Sequence, residues 1–351
     1  MMTDPLLRET VERCFDELCT HDVVQAAERS GWADELWDAA RQMGLPWISL
    51  PVSGGGSGGT LADAIEVLRI AGRHAVPLPL AETGLLAGWL LSEAGLALDD
   101  EPMTLVPGRP DDTLVLDGGL LRGEAHRVAW GRRASRIAVL TDHRGETVLA
   151  VARGDEAEIR PVQNVAGEPR DTVVFHGAPA EIASLPSGVD RAAVRARGAL
   201  TRVALMAGAL ERMCETTVGY TRERHQFGKP IARFQAVEEH LVCVAQEAAL
   251  LLMTLEAATA AAQRGDARFE IAAAKVLADR AATRATRAAH QAHGAIGLTQ
   301  EYPLHQLSRR LWSWRQEYGT AAQWRQDLGL EVSHVGGDGL YPLIAGGSTR
   351  L

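Results

Sequence analysis

Four long helical stretches follow one another from Val189 to Leu328, and nothing else in the sequence constrains the fold as strongly. The first runs from about Asp190 to Tyr220, with Leu200, Val203, Ala207, Leu210, Cys214 and Val218 on one stripe. A second spans Phe234 to Gln263 and stops before Gly265-Asp266, a third covers Ala267 to His293, and a fourth covers Tyr302 to Leu328. Alanine is abundant throughout, and alanine loses no side-chain entropy in a helix. Long helices joined by short connections pack as an antiparallel four-helix bundle, so a bundle is expected here. Gly336-Gly-Asp-Gly and Gly346-Gly-Ser read as a loop-like tail.

The pattern ahead of the bundle changes twice. From Leu6 to Leu96 apolar residues recur at helical steps (Leu7, Val11, Phe15, Leu18; Ala62, Ile65, Leu68). Breaks fall at Pro46, Pro51 and Gly54–Gly59, and Thr60 with Asp63 forms a capping-box text that starts a helix. From Met103 to Ile182 the period becomes that of strands: Thr113-Leu-Val-Leu, Arg136-Ile-Ala-Val-Leu, Thr147-Val-Leu-Ala-Val-Ala and Asp171-Thr-Val-Val-Phe. Short strands without helices between them imply a small antiparallel barrel or sandwich. The chain is therefore expected to be α+β and mostly α. Residues 1–102 form an N-terminal helical domain, 103–186 a middle β domain and 187–351 a C-terminal four-helix bundle.

Composition narrows the function classes. The 36 basic and 45 acidic residues leave a net charge of −9, which gives no general attraction to nucleic acid or an anionic surface. Cys14, Cys19, Cys214 and Cys243 lack metal-ligand spacing and read as reduced thiols, so no metal site is expected. The start of the chain carries no basic-then-apolar leader, and the run Leu250–Leu255 is bracketed by Glu247 and Glu256. A cytoplasmic protein without a membrane span is the expectation. Gly54, Gly56 and Gly59 satisfy the dinucleotide spacing G-x-G-x-x-G. Pro46 and Pro51 bracket the strand that motif needs, and no acid follows about 20 residues on, so a glycine-rich connection is the better reading.

The text with most chemical content is Tyr220-Thr-Arg-Glu-Arg-His-Gln-Phe-Gly-Lys-Pro-Ile. A helix ends in Arg222, Arg224 and His225, Gly228 permits a turn, and Pro230 prevents immediate continuation of the helix. Such a corner can offer forked cations to a phosphate-bearing ligand, or it can be a solvated charged corner.

Arg224-His-Gln-Phe-Gly-Lys-Pro-Ile resembles the flavin-contacting signature of acyl-CoA dehydrogenases. So does His293-Gly-Ala-Ile-Gly-Leu-Thr-Gln-Glu-Tyr-Pro-Leu, with Arg309 seven residues beyond Tyr302. The order of helical, β and helical segments is also that of the family. The resemblance implies an FAD-dependent dehydrogenation of an acyl-CoA thioester between its α and β carbons, with an electron-accepting flavoprotein or another acceptor downstream. By position in the motifs, Arg224, Gln226 and Phe227 would reach across a dimer interface to a partner's FAD. Gln291, Gly294 and Ala295 would line the same ADP site, and Gly319 and Thr320 would sit near the flavin of their own subunit. The family's catalytic carboxylate usually stands in a Tyr-Glu-Gly-Thr text. This chain has Gln316-Glu-Tyr-Gly-Thr, which puts Tyr318 at the catalytic place and Glu317 one residue before it. Glu317 is the candidate base, with a partner subunit as the other source. Members with the base on the first bundle helix carry it at a position matching Gly198, where no acid is close. The flavin-cradling texts Thr-Glu-Pro-x-x-Gly-Ser-Asp and Trp-Ile-Thr are missing, with Trp130 a remnant of the second. A chain that keeps the cross-subunit contacts and loses its own cradle resembles one half of the heteromeric acyl-CoA dehydrogenases, several of which act on CoA-linked steroid side chains. A homo- or hetero-oligomer is implied: a dimer or a tetramer, with α2β2 among the arrangements. The alternative is a non-catalytic scaffold that completes the FAD site of a catalytic paralogue.

Overall fold

The computed structural model describes residues 4–265 and 267–346. They form two compact units. The first contains residues 1–24, 65–76 and 199–351, and the second contains 25–64 and 77–198.

The first unit gathers the long helices: α1 (Pro5–Leu18), most of α4 (Leu61–Arg73), α6 (Arg191–Glu223) from Ala199, α7 (Gln235–Arg264), α8 (Arg268–His293), α9 (Leu304–Trp314) and α10 (Ala321–Gly346). Leu200, Val203, Ala207 and Leu210 of the expected stripe are buried. Alanines 272, 274, 278, 281, 282, 285, 288 and 289 of α8 are buried too, small side chains that let neighbouring helices approach closely. At the α4–α6 crossing the approach is limited by glycine: a Cβ on Gly72 would collide with the Leu205 carbonyl, and one on Gly208 with that of Arg69. Charges pin the same crossing. Arg69, almost wholly buried, pairs with Glu66 at 2.8 Å and also with Glu211, while Arg73 meets Glu211 at 2.8 Å, Glu215 at 2.9 Å and Glu12 at 3.3 Å.

The C-terminal end departs from expectation in two places. The single helix expected over Tyr302–Leu328 is two, α9 and α10, separated by a turn at 315–320. Tyr318 and Gly319 there adopt φ of +54° and +102°, which no helix accommodates. Thr320 and Gln323 close a capping box at the start of α10: Thr320 N donates to Gln323 Oε1 at 2.8 Å, and Gln323 N donates to Thr320 Oγ1 at 3.4 Å. The text expected to be a loop-like tail is helical as far as Gly346, broken only at Gly336, where φ is +69°. Gly347 and Ser348 lie outside the described residues, as does Asp266.

The second unit is built on a sheet of seven strands: β1 (Met103–Leu105), β2 (Val115–Asp117), β3 (Leu120–Ala129), β4 (Arg136–His143), β5 (Glu146–Arg153), β6 (Ala157–Arg160) and β7 (Arg170–Ser184). The order is β1-β4-β5-β7-β3-β2, with β6 also on β7. All pairings are antiparallel except β1 with β4, which is parallel. Leu121, Val128, Ile137, Val139, Ala150, Val173 and Phe175 fill its core. A bulge between Ala125 and Val128 puts Arg127 at φ +56° and hands the chain to Trp130, also left-handed at φ +57°. Asp171, fully buried, anchors this corner by accepting from the Arg132 amide at 2.8 Å and pairing with its guanidinium at 2.6 Å. The helices of this unit are α3 (Asp34–Gln42), the part of α2 (His21–Ser30) beyond Val24, and a buried π-helix at Ala81–Gly88 that continues as α5 (Trp89–Glu93). The glycine-rich text is a connection between helices. Leu45–Trp47 and Val52–Gly54 are 3-10 turns with no strand, and Thr60 and Asp63 form the expected cap at 2.8 and 3.2 Å.

Candidate functional site

The arginine corner is a hairpin. Beyond α6, His225–Gln226 (β8) pairs with Lys229–Pro230 (β9) around Phe227 and Gly228, both at positive φ (+52° and +79°). Positive φ at both turn positions is the geometry of a type I′ turn, which matches the strand twist of a two-residue hairpin. The tip is bare: Phe227 is 91% exposed, and Arg224 and Gln226 are exposed beside it. Among the described residues no carboxylate pairs with the Arg224 guanidinium. Lys229 Nζ lies 4.3 Å from the Phe234 ring centroid, which stiffens the base of the hairpin.

The second motif lies against the first. α8 ends at His293, and Gly294–Leu298 is a 3-10 turn entered at φ +65°. Tyr220, one helical turn before Arg224, stacks on the His293 ring at 4.6 Å and 17°, and Tyr302 closes on both rings at 5.8 and 5.1 Å. His293 is only 4% exposed and so is not the surface residue its place near a helix end suggests. Burial pushes its pKa below the ordinary value, although its bond to the Ala289 carbonyl at 2.8 Å acts the other way. The ring is therefore neutral near pH 7, with Nδ1 donating to Ala289. Gln291, Gly294 and Ala295 are exposed, and nothing lies within 4 Å of where a Gly294 Cβ would be. The structure thus joins the bases of the two motifs through a cluster of three rings, one pair stacked and the third set edge-on or tilted against it. It leaves above them a guanidinium, an amide side chain and an open glycine turn, a donor set that suits the pyrophosphate and ADP portion of a dinucleotide.

Glu317, Gly319 and Thr320 stand elsewhere, in the turn between α9 and α10. The Glu317 carboxylate is not held by helix geometry. Its Oε2 accepts from Arg202 Nε at 2.5 Å. Arg202 and Tyr220 are 18 residues apart on α6, about 27 Å at 1.5 Å per residue. The corner and the turn therefore mark two well-separated places on one chain. Lys275, on α8, is also buried here and donates to the Trp314 and Arg315 carbonyls at 3.2 and 2.8 Å. Burial lowers its pKa to about 7, with Glu317 pulling the other way. Sequence reading missed Arg202 and Lys275. Their one signal was a charge inside an otherwise apolar or small-residue stretch of a long helix.

Trp130 does not offer itself to a ligand: it is 3% exposed and meets Trp32 edge-on at 6.0 Å in the core of the second unit. An open hollow of about 610 Å³ in that unit is lined by Arg132, Arg136, Arg153 and Asp155 among others. Arg132, Arg136 and Arg153 pair with Asp171, Glu181 and Asp155, so the hollow is a set of satisfied ion pairs and coincides with no expected site residue.

Residues 193–327 match the family described as the C-terminal domain of acyl-CoA dehydrogenases. This part of the chain is an acyl-CoA dehydrogenase domain. The chain is 29% identical over 321 residues to acyl-CoA dehydrogenase IpdE2 of Mycobacterium tuberculosis, covering 88% of this chain and 92% of the relative. Among solved structures, the ChsE4-ChsE5 complex from Mycobacterium tuberculosis superposes with a TM-score of 0.87 at 22% identity, covering 96% of this chain and 99% of that one. PigA, solved with FAD and proline, superposes with a TM-score of 0.85 at 18% identity, covering 96% and 100%. The fold is that of the acyl-CoA dehydrogenases, with helices on either side of a β segment along the chain.

Proposed function

We propose that this chain is one subunit of a cytoplasmic, heteromeric, FAD-dependent acyl-CoA dehydrogenase that desaturates an acyl-CoA thioester between its α and β carbons, with the CoA-linked side chain of a steroid as the substrate class. The observation that carries the reading is the bare hairpin at Arg224–Phe227 beside the open turn at Gly294. Among the described residues its Arg224 guanidinium has no carboxylate partner, and it lies about 27 Å along α6 from the turn that holds Gly319 and Thr320. One chain holding two such places fits an assembly in which Arg224, Gln226, Phe227, Gln291, Gly294 and Ala295 hold the ADP portion of a neighbour's FAD. Gly319 and Thr320 then stand against the chain's own flavin. Bound FAD supplies the hydride acceptor. This chain's residues would bind and orient: Arg224 would fork onto the pyrophosphate, and the open turn at Gly294 would let it approach closely. The proton acceptor comes from the partner subunit, because the Glu317 carboxylate is engaged by Arg202. Electrons then pass to an accepting flavoprotein.

The outer face of α7 supports assembly. Val242, Leu250 and Met253 are exposed there, and this is the one described helix long and apolar enough to cross a membrane. Its Glu247 is nevertheless buried and paired with Arg280 at 3.2 Å and Arg284 at 3.1 Å. A dimer or an α2β2 tetramer would cover that face.

The engagement of Glu317 also favours a second reading, a non-catalytic scaffold that completes the FAD site of a catalytic paralogue. Titration of the purified chain with FAD, alone and after mixing with a related subunit, tests the first reading through flavin absorbance. FAD bound only in the mixture, and bleached by acyl-CoA, supports it. FAD held at one per chain by this subunit alone contradicts the heteromer, and no FAD in either preparation contradicts the cofactor.

A further inference from the structure

Glu317 stands one residue before the expected catalytic place, and its surroundings indicate a different role from the one that position suggests. The Arg202 guanidinium is 2% exposed and the Glu317 side chain 20%, with Nε and Oε2 2.5 Å apart. A guanidinium removed so fully from water needs a compensating anion, and Glu317 supplies a carboxylate at hydrogen-bond distance. The same guanidinium lies 5.2 Å from the Tyr318 ring centroid, and Tyr318 holds φ at +54°, a region that a bulky side chain enters only when its surroundings impose it. On the far side of the turn Lys275 closes the last carbonyls of α9, and Arg315 pairs with Asp279 at 2.8 Å. The segment 315–320 is thus tied to α6 through Arg202 and to α8 through Lys275 and Asp279, immediately before Gly319 and Thr320. A carboxylate whose charge is spent on a guanidinium at that distance is a poor proton acceptor.

We infer that Glu317 is the counter-ion of Arg202, and that the pair is a positioning device which fixes the turn carrying Gly319 and Thr320 and takes no proton from substrate. The inference rests on the reading of Gly319 and Thr320 as flavin-side residues.

The test is a cycle of Arg202→Met, Glu317→Gln and the double variant, each made in the assembly that binds FAD. Thermal midpoints are measured without cofactor, FAD affinity at a temperature well below every midpoint, and kcat and KM for flavin reduction by acyl-CoA. Each single variant removes one half of the close pair and should lower the midpoint by roughly 5–10 °C and weaken FAD binding about tenfold. The double variant leaves neither charge, and should recover most of the midpoint, FAD affinity within about threefold of the parent, and measurable reduction. If Glu317→Gln keeps midpoint and FAD affinity yet abolishes reduction, and the double variant is equally inert, Glu317 is the base and the inference is overturned. If the midpoints fall while FAD affinity is unchanged, the pair is structural only and the positioning role is overturned. If a single variant does not fold, the double variant decides by the same limits. A parent that binds no FAD in any assembly sinks the functional reading. The midpoint cycle, non-additive for a true counter-ion pair and additive otherwise, still judges the ion pair.

Discussion

Arg224 and Lys275 show opposite uses of a cation. Arg224 is exposed, and no described carboxylate pairs with it, so its substitution should cost the fold little. Forked, charge-assisted bonds to a pyrophosphate contribute about 1.5–3 kcal/mol each. Arg224→Ala should therefore weaken FAD binding by about one to two orders of magnitude with an unchanged circular dichroism spectrum. Equal retention of flavin by parent and variant through gel filtration would show the corner to be surface only. Lys275 is buried and spends its amino group on helix-end carbonyls. Its folded pKa of about 7 lies below the ordinary 10.5, so between those values the unfolded chain holds a proton that the folded chain has released. Stability from this group therefore rises as pH increases from 7 towards 10.5 and is flat below 7. In urea titrations between pH 7.5 and 9.5 the parent should gain stability relative to Lys275→Met. Parallel curves would remove Lys275 from the account.

At the scale of elements, the α4–α6 crossing combines close approach with buried charge. Gly208→Ala would drive a methyl into the Arg69 carbonyl, and by analogy with overpacked cores should cost about 1–3 kcal/mol, read as a lower denaturant midpoint with unchanged slope. At the same crossing, burial alone would raise the Glu66 carboxyl. Its bonds and charge pairing with Arg69 and Arg8 outweigh burial and hold it below the ordinary 4.5. That contribution is complete above pH 4.5 and is lost as pH falls through the depressed folded value, so Glu66→Gln should flatten the acid limb of the stability curve. An acid limb identical to the parent's would show that the pair contributes nothing. The expected helices of the bundle appear at Arg191–Glu223, Gln235–Arg264 and Arg268–His293, because apolar spacing, Pro230 and the glycines at 228, 265 and 294 mark both faces and ends. The break after Trp314 was also written in the sequence, as the capping box Thr320-Ala-Ala-Gln323, but the unbroken apolar period across it conceals the turn. β3 escaped notice because a bulge at 125–128 spoils its alternation, and β6 because Ala157–Arg160 alternates over a short, incompletely buried stretch.

The whole molecule was legible as a fold before it was legible as a site. Order and period of the segments lead to helices, then a β block, then a helical bundle, since each segment must bury its own apolar face. Site geometry depends instead on which distant residues meet. That Tyr220 stacks on His293 and that Arg202 reaches Glu317 are facts of packing that no local pattern encodes. Assembly belongs to this scale as well: with Val242, Leu250 and Met253 uncovered on α7, sedimentation at micromolar concentration should show a dimer or larger, and a monomer would contradict a shared site. The central claim is that the chain contributes to an FAD site which oxidises acyl-CoA together with a partner subunit. Anaerobic rapid mixing of the FAD-loaded assembly with an acyl-CoA tests it most directly. The account predicts bleaching of the flavin band in the mixed assembly and none in this chain alone. Full bleaching by this chain alone, or an assembly that holds FAD and stays yellow with every acyl-CoA offered, would contradict it.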